Sequence, residues 1–249
     1  GTFTATSATT QLTAGISVAA AAVFNHNNGL FDFKSAAAST WDLNSHHLYD
    51  MSNTCSSGYS TTVASPIYVD HNFTGANTGT PIYSSATIYI AGDVNMTGGV
   101  PSMGTSVFRL NGTGTQTVTS TAGSTIPHLY LDGANVVLGS RVEISGDLKY
   151  ISGSVTTTGS TVVMTSSSTQ NIDIGTLVLN NATIGKVGYQ KTITNSLYVA
   201  GLLDLQGQFT VGNSIFASGD VTIASATGAT ANVTLNGSNQ TVTGGGTAP

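Results

Sequence analysis

The densest group of residues with acid–base chemistry lies near the start of the chain. Asp42 and Asp50 flank His46 and His47, and a second group is the adjacent pair Asp70–His71. Two carboxylates close to an imidazole suit general acid–base hydrolysis of a glycosidic bond. The other carboxylates are spread along the chain, and no nucleophile elbow, phosphate-binding loop or metal signature accompanies them. We therefore expect no enzyme and no catalytic or cofactor-binding residue, and keep a polysaccharide-degrading β-helix enzyme as the least favoured alternative.

Metal binding is not indicated either. His46 and His47 are adjacent, and adjacent residues of a strand point to opposite faces, so they would not converge on one ion. Gly-Asp pairs recur, but one such Asp in every 54–78 residues is too sparse for a calcium-binding repeat. We expect the Gly to adopt a left-handed turn and the Asp to cap a local amide. Cys55 is the single cysteine, which excludes an intrachain disulfide and leaves a buried side chain, a free thiol or an intermolecular link.

Composition restricts the partners. Only 7% of the residues are charged, and the six Lys and Arg residues are scattered, so the chain has no basic stripe for nucleic acid. No stretch approaches the length of a membrane span. The 39% apolar content falls in short β-branched runs, such as Thr161–Met164 and Thr176–Leu179, which opposes disorder and is typical of strands. The scarcity of Lys and the abundance of Thr, Ser and Asn suggest an extracellular location, at a cell or virion surface.

Three short elements recur in the same order along the chain. The first is a Gly-Asp turn between apolar residues, at Ile90–Met96, Ile144–Tyr150 and Ala217–Ile223, with weaker copies at Leu12–Val18 and Ile193–Val199. The second is a strand that leads to Gln116, Gln170 or Gln240, and the third is a short strand at His47–Tyr49, His128–Leu131 or Thr176–Leu179. Asp93 to Asp147 and Gln116 to Gln170 are both 54 residues. Because chance matches would not keep this agreement, we infer a true repeat.

Strands with so few apolar residues cannot each bury a face, so the units must stack into one core. The sequence predicts a single all-β domain, a parallel β-solenoid of roughly a dozen coils built from about four degenerate repeats. The units lie near residues 12–89, 90–143, 144–216 and 217–249, with coils of about 18–20 residues and three coils per 54-residue unit. An antiparallel sandwich array is the alternative, although Ig-like units need about 90–100 residues each.

Changes in spacing indicate insertions between the units. The largest covers residues 50–86, and a second runs through 184–191. We expect these segments to emerge as loops, which is where recognition usually lies. The tail from Thr243 to Pro249 is rich in Gly and is expected to be a flexible end or linker.

The run Gly112–Val118, followed by His128–Leu131 and Val142–Leu148, resembles a known class of sequence. It is similar to the Thr/Gly-rich β-solenoid repeats of large bacterial surface adhesins and of phage tail-fibre-like proteins. Asn25–Gly29 and Phe31–Phe33 are similar to the opening of such repeats. The resemblance covers most of residues 12–242 and implies extracellular structure or adhesion. It transfers no site residue.

These observations lead to an ordered set of expectations about function. The first is an extracellular structural protein that self-associates into a fibre, filament, sheath or surface layer through solenoid ends or faces, because open ends are strand edges. The second is an adhesin or phage fibre module that binds a glycan or receptor through residues 50–86. The enzyme is the third. Because the sequence begins at Gly1 rather than Met, we expect a processed precursor or part of a longer array.

Overall fold

The structure is a computed structural model that describes residues 1–34, 37–54, 60–76, 82–83, 86–98, 105–224 and 230–244. The regular structure in this part is β-strand throughout, without a helix. In chain order the first sixteen strands are β1 (Thr2–Thr4), β2 (Thr9–Leu12), β3 (Ile16–Ser17), β4 (Val23–Asn25), β5 (Leu30–Phe33), β6 (Ser39–Asp42), β7 (His47–Leu48), β8 (Asp50–Asn53), β9 (Ser60–Val63), β10 (Ile67–Val69), β11 (Phe73–Gly75), β12 (Ile82–Tyr83), β13 (Thr87–Ile90), β14 (Val94–Met96), β15 (Val107–Leu110) and β16 (Thr115–Ser120). The others are β17 (His128–Leu131), β18 (Asn135–Leu138), β19 (Arg141–Glu143), β20 (Leu148–Tyr150), β21 (Ser154–Thr156), β22 (Thr161–Met164), β23 (Gln170–Asp173), β24 (Val178–Leu179), β25 (Asn181–Ile184), β26 (Gln190–Ile193), β27 (Leu197–Val199), β28 (Leu203–Leu205), β29 (Gln208–Ala217), β30 (Val221–Ile223), β31 (Thr230–Leu235) and β32 (Val242–Gly244).

The strands form four long sheets and one short pair, β1 with β4. Sheet I contains β2, β5, β8, β11, β14, β16, β18 and β21, and sheet II contains β3, β6, β9 and β12. Sheet III contains β7, β10, β13, β15, β17, β20, β23, β26, β29, β27, β24 and β31, and sheet IV contains β19, β22, β25, β28, β30 and β32. All strand pairings in the described part are parallel.

The chain is a β-solenoid of about 11 turns, which confirms the predicted fold class. A turn whose three sides are all described passes through sheet I, then sheet II or IV, then sheet III, so the coil has three sides and three corners. In the described part, β3 is followed by β4, which pairs with β1, and the turns that begin with β14 and β16 have no strand in sheet II or IV. After β21, the place of sheet I is taken by β24, β27 and the second half of β29. Paired residues of successive turns are between 18 apart, as Leu197 and Ile215 are, and 25 apart, as Ile16 and Trp41 are. Many turns are therefore longer than the 18–20 residues expected.

The interior is a continuous column of apolar side chains that alternate with outward residues along each strand. Its largest members are Trp41, Phe31, Phe33, Phe73 and Phe108, all fully buried. Each inward side chain packs on the residue one turn earlier, as Phe108 does on Ile88 through their register. Burial of this column provides the main stabilisation of a fold whose single strands are only two to ten residues long.

The segment 50–86, expected to be a loop insertion, instead contributes strands to the stack. Its described part contains β8 and β11 in sheet I, β9 and β12 in sheet II, and β10 in sheet III. Ile67 and Val69 are buried and pair with Ile88 and Ile90 of the next turn. The altered spacing thus reflects additional turns of the coil. Of the second predicted insertion, 184–191, only residues 185–189 form a short turn, which joins β25 to β26 and contains an isolated bridge between Lys186 and Tyr189.

Candidate functional site

The residues that recur in the sequence lie at corners of the coil and hold successive turns together. Gln116 is fully buried, and its Nε2 donates hydrogen bonds to the carbonyl oxygens of Ile90 and Gly92 in the preceding turn, at 2.8 and 2.9 Å. Its Oε1 accepts a hydrogen bond from the Gly112 amide at 2.8 Å. The Asp93 carboxylate accepts one from the amide that follows Gln116, at 2.6 Å. We call this Gly, Asp and Gln arrangement the corner clamp.

The corner clamp recurs at two later positions. The second clamp comprises Gly146, Asp147 and Gln170, and the third comprises Gly219, Asp220 and Gln240. Their side-chain hydrogen bonds across the coil measure 2.6 to 2.9 Å. The correlated spacing of the Gly-Asp and Gln elements in the sequence therefore reflects direct hydrogen bonds between one turn and the next.

Each clamp lies at a different corner of the coil. Asp93 lies between sheets III and I, immediately before β14, whereas Asp147 lies between sheets IV and III, immediately before β20. Asp220 lies before β30, where the chain enters sheet IV. From Asp93 to Asp147 the chain completes two full turns and two further sides, so the 54-residue unit spans about two and two-thirds turns rather than the expected three. The clamp is a local device that any corner can hold.

Close stacking of the turns explains the glycines of the clamps. Gly92, Gly146 and Gly219 are not among the residues with a left-handed backbone, so the expected left-handed turn is wrong at these positions. A Cβ at Gly92 would overlap the carbonyl oxygen of His71 in the preceding turn, and the other two glycines meet a preceding carbonyl in the same way. Only a residue without a side chain allows the turns to approach this closely.

Each clamp Asp accepts from an amide 21 or 24 residues further along the chain, rather than from a local one. At Asp147 the His128 side chain also lies close, with Nδ1 at 3.3 Å from a carboxylate oxygen. The hydrogen bond with His128, reinforced by the amide of Asn171, holds the pKa of Asp147 below its ordinary value, although partial burial acts in the opposite direction. The clamp carboxylates are therefore structural acceptors.

Lys191 occupies a clamp position without being part of a Gly-Asp copy. It pairs with Gln170 of the preceding turn, is 0% exposed, and its Nζ donates to the carbonyl oxygens of Ser166 and Ser168 at 2.9 and 2.6 Å. Burial, with a smaller contribution from the positive charge of Lys186, lowers the pKa of Lys191 to about 8. Lys191 thus does for its turn what Gln does in the clamps, with an ammonium group in place of an amide.

The acids and imidazoles selected from the sequence pair across turns rather than with their sequence neighbours. Asp50 Oδ1 lies 2.8 Å from His71 Nδ1, and Asp70 Oδ1 lies 2.6 Å from His47 Nδ1. These pairs are partly exposed, and each joins residues separated by one turn. They orient the imidazoles and connect neighbouring coils.

Asp42 and His46 lie outside this group. Asp42 accepts a hydrogen bond from the Asn44 amide at 3.2 Å, and His46 Nε2 lies 3.1 Å from the carbonyl oxygen of Ala19. Among the bonds of the described residues, none joins Asp42 to Asp50. Asp42, His46, His47 and Asp50, which are close in sequence, are therefore not gathered around a common point.

A row of stacked rings follows the coil axis on the outside of sheet III. His47, Tyr68 and Tyr89 are paired residues of β7, β10 and β13. Neighbouring ring centroids are 4.9 Å apart in both pairs, with interplanar angles of 10° and 5°. The row continues to Arg109, whose guanidinium lies 5.7 Å from the centroid of Tyr89. The sequence signal for the row is an imidazole or phenol ring every 21 residues.

A second row of rings lies beside the first, at the corner between sheets III and I. Tyr49 stacks between His26 and His71, with centroids 5.8 and 4.7 Å apart. Asp70 lies between the two rows, 3.9 Å from His26 and 2.6 Å from His47. We call these six rings the ring surface. Single residues in the sequence do not reveal this surface, because the rings meet only when successive turns stack.

The groups of the ring surface that are available to a partner lie at the edges of the rings. Within each row the flat faces cover one another, as in stacked aromatic pairs generally, so they offer no free platform inside the row. The hydroxyl and imidazole nitrogen atoms, with the carboxylates of Asp50 and Asp70, are the polar groups of this surface. Such a surface can form hydrogen bonds with a polar partner.

Arg109 terminates the first row with a second interaction. Its Nε donates to Asp132 at 2.9 Å, and Ser152 donates to the other oxygen of the same carboxylate at 2.7 Å. The hydrogen bond from Ser152, together with Arg109, lowers the pKa of Asp132, and Asp132 raises the pKa of Arg109. The pair is ionised throughout the physiological range and fixes three successive turns.

Comparison with protein-family models, curated proteins and solved structures finds no match for this chain. Within the described part, no helix has the length and apolar character of a membrane span. The same residues contain no group of three or more His, Cys, Asp or Glu side chains that could hold a metal ion. Cys55, Gly58 and Pro81, which the sequence places in the predicted insertion, lie outside the described residues.

Proposed function

We propose that the chain is a structural solenoid that associates with copies of itself along the coil axis to form a fibre, filament, sheath or surface layer. The observation that supports this most is that the conspicuous polar residues join one turn to the next. The corner clamps, Lys191 and the two histidine–aspartate pairs all act between successive turns. A coil whose successive turns are joined by hydrogen bonds and ion pairs is suited to the addition of further turns, from another copy, along the same axis.

The terminal strands of the described part have unpaired outer edges. β1, β2 and β3 lie at one end, and β31 and β32 lie at the other, each with neighbours on one side only. Phe3 and Val23 are exposed at the first end, and Leu235 and Val242 at the second. An open parallel edge with apolar side chains is a ready template for another strand. A second copy of the solenoid supplies complementary edges.

An extracellular location, at a cell or virion surface, is part of this proposal. It is supported by the low proportion of charged residues and the Thr-, Ser- and Asn-rich composition. The proposal assigns no catalytic step to the chain.

The test is a concentration series of the whole chain, followed by sedimentation velocity and negative-stain imaging. We expect rods that lengthen with concentration. Val242→Lys in β32 and Phe3→Lys in β1 should shorten them, because a charge on an edge opposes strand addition. Val187→Lys, at an exposed turn position away from the edges, is the matched control and should leave lengths unchanged. A monomer at all concentrations, or equal effects of all three substitutions, would contradict the proposal.

A second candidate function is that of an adhesin or phage fibre module that binds a glycan or receptor. The ring surface favours it, because Tyr68, His71 and Asp70 fall within residues 50–86, the segment predicted to carry recognition. Since this segment belongs to the stack, deletion would remove coil strands, and substitution is the correct test. We expect Tyr68→Ala to weaken adhesion to a glycan-coated surface. Tyr198→Ala, which removes a similar stacked ring facing Phe216, should not. Equal adhesion of both variants would exclude the ring surface as the contact.

A further inference from the structure

A groove separate from the ring surface lies at the corner between sheets IV and III. The loops that follow β16, β19, β22 and β25 meet there around a volume of about 250 Å³ that opens to solvent. The side chains that matter in its walls are Thr125, Glu143, Ser145, Thr165, Ser167 and Lys186. Pockets for drug-sized ligands have volumes of about 300–1,000 Å³. The groove is smaller, so it suits a single sugar-sized ring rather than a longer ligand.

The charge at this corner differs from that of the whole chain. The chain has six Lys and Arg residues and a formal net charge of −5. Three of the six cations, Arg141, Lys186 and Lys191, lie at the groove or directly against its wall. Glu143 is the acidic residue of the wall, and its Oε2 accepts from Arg141 at 2.7 Å and from the Gly123 amide at 3.1 Å. Arg141 neutralises Glu143, so Lys186 supplies the net positive charge of the groove lining.

Lys186 is available to a ligand. Its Nζ donates to the hydroxyl of Ser167, which also lines the groove, at 2.6 Å and lies 5.9 Å from the ring centroid of Tyr189. An ammonium group has three donors, so further donors remain for an acceptor in the groove. The segment 184–191 that holds Lys186 is the second predicted insertion, now seen as a turn beside the groove.

A buried hydroxyl in the groove wall lacks a partner. Thr125 is 9% exposed, and its Oγ1 has no hydrogen-bond partner among the described residues. A buried unsatisfied hydroxyl costs about 1–3 kcal/mol. Thr125 is one of the residues that line the groove, so a polar group of a ligand in the groove lies beside it. A persistent cost of this kind is explained if a ligand supplies the missing bond.

We propose that this groove binds one acidic sugar unit, a pyranose ring that carries a carboxylate. The Lys186 ammonium pairs with the carboxylate, and the hydroxyls of Thr125, Ser145 and Thr165 exchange hydrogen bonds with the ring hydroxyls. Glu143 accepts a hydrogen bond from a sugar hydroxyl, and a bare sulfate or phosphate lacks the ring hydroxyls that make these contacts. The proposal does not depend on self-association.

The experiment is calorimetric titration of the whole chain, at a concentration below that at which it associates, with galacturonate and glucuronate oligomers. Neutral glucose oligomers, inorganic sulfate and inorganic phosphate are the comparison ligands. We expect the uronates to bind at least about tenfold more tightly than the neutral oligomers, because the neutral oligomers lack the carboxylate that forms the charge-assisted bond with Lys186. No uronate binding, equal binding of neutral oligomers, or equal binding of sulfate or phosphate overturns the proposal.

Two variants connect the binding to the groove. Lys186→Gln should weaken uronate binding about tenfold, and Lys149→Gln, at an exposed position of β20, should leave it unchanged. Thr125→Val should weaken binding while the thermal midpoint stays the same or rises, because the unsatisfied hydroxyl is removed. The thermal midpoint also verifies that each variant folds. Undiminished binding by Lys186→Gln and Thr125→Val, or equal losses in Lys186→Gln and Lys149→Gln, overturns the assignment.

Discussion

Gln116 illustrates how much a single side chain contributes inside the coil. Replacement by Leu leaves the Gly92 carbonyl oxygen and the Gly112 amide without the Gln116 side chain as partner, and the Ile90 carbonyl oxygen keeps only its bond from the Asn111 amide. At about 1–3 kcal/mol for a buried unsatisfied group, we expect Gln116→Leu to lower the free energy of unfolding by about 3 kcal/mol. Gln11→Leu, at an exposed position of β2, should change it by less than about 0.5 kcal/mol. Urea denaturation measures both, and equal effects would contradict a clamping role.

Lys191 predicts a distinctive dependence of stability on pH. Its folded-state pKa of about 8 is below the ordinary 10.5, so between these values the unfolded chain binds more protons than the folded chain. Stability should therefore rise with pH through this window, whereas below about pH 8 the cost of the buried ammonium is present in full and does not vary with pH. The gain is at most roughly 3 kcal/mol. The neutral amine still has two N–H groups for the carbonyl oxygens of Ser166 and Ser168.

Lys191→Gln isolates that contribution, because Gln is the residue that the three corner clamps use. We expect the unfolding free energy of the protein with Lys191 to rise relative to that of Lys191→Gln as the pH rises from about 8 to 10.5. Lys149→Gln, at an exposed position, should show a constant difference. Denaturant titrations at several pH values provide the measurement. If the difference in unfolding free energy between the protein with Lys191 and Lys191→Gln does not depend on pH, folding does not lower the pKa of Lys191.

At the scale of the structural element, the distance between turns depends on glycine at the corners. An added Cβ at Gly92 overlaps the His71 carbonyl, whereas at Gly114, which also lies in a turn, it meets nothing within 4 Å. We expect Gly92→Ala to reduce stability by about 1–3 kcal/mol, as overpacking does, and Gly114→Ala to be close to neutral. Thermal unfolding of the two variants distinguishes them. Similar losses would mean that backbone entropy, not stacking, sets the requirement for glycine.

The stacked row of the ring surface is a second element whose contribution is measurable. The rings of Tyr68 and Tyr89 are nearly parallel, with an interplanar angle of 5° and centroids 4.9 Å apart. Pairs of this kind contribute about 0.5–1.5 kcal/mol beyond the burial of area. A double-mutant cycle with Tyr68→Ala and Tyr89→Ala should return a coupling free energy in that range. A cycle between Tyr68 and Tyr198, on a separate row, should return none.

Much of the element level could be predicted from the sequence. Asp93 and Asp147 are separated by the same number of residues as Gln116 and Gln170, and this shared spacing predicted stacked strands and turns. The spacing is shared because the turn of each Asp is hydrogen-bonded to the turn of the Gln that follows it. The corner of each clamp could not be predicted, since it depends on the accumulated length of every preceding turn. Lys191 was missed because it replaces Gln within the clamp position, and the groove was missed because its walls come from four separated loops.

At the scale of the whole molecule, the stack of about 11 turns gives a rod on the order of 50 Å long. If copies associate along the axis as proposed, oriented material should diffract strongly near 4.8 Å parallel to the fibre, the spacing of adjacent strands. Fibre diffraction tests this, with unassociated Val242→Lys protein as the control. A 4.8 Å reflection perpendicular to the fibre would indicate lateral association instead.

The different corners of the three clamps have a consequence for how such a chain can lengthen. Because a 54-residue unit covers about two and two-thirds turns, copying one unit within the gene would rotate every later surface feature by two-thirds of a revolution about the axis. A groove that faced one direction would then face another, while the core and the clamps stayed intact. Three successive duplications would return it to its original bearing. Each duplication therefore changes both the length of the rod and the direction in which a surface site faces about the coil axis.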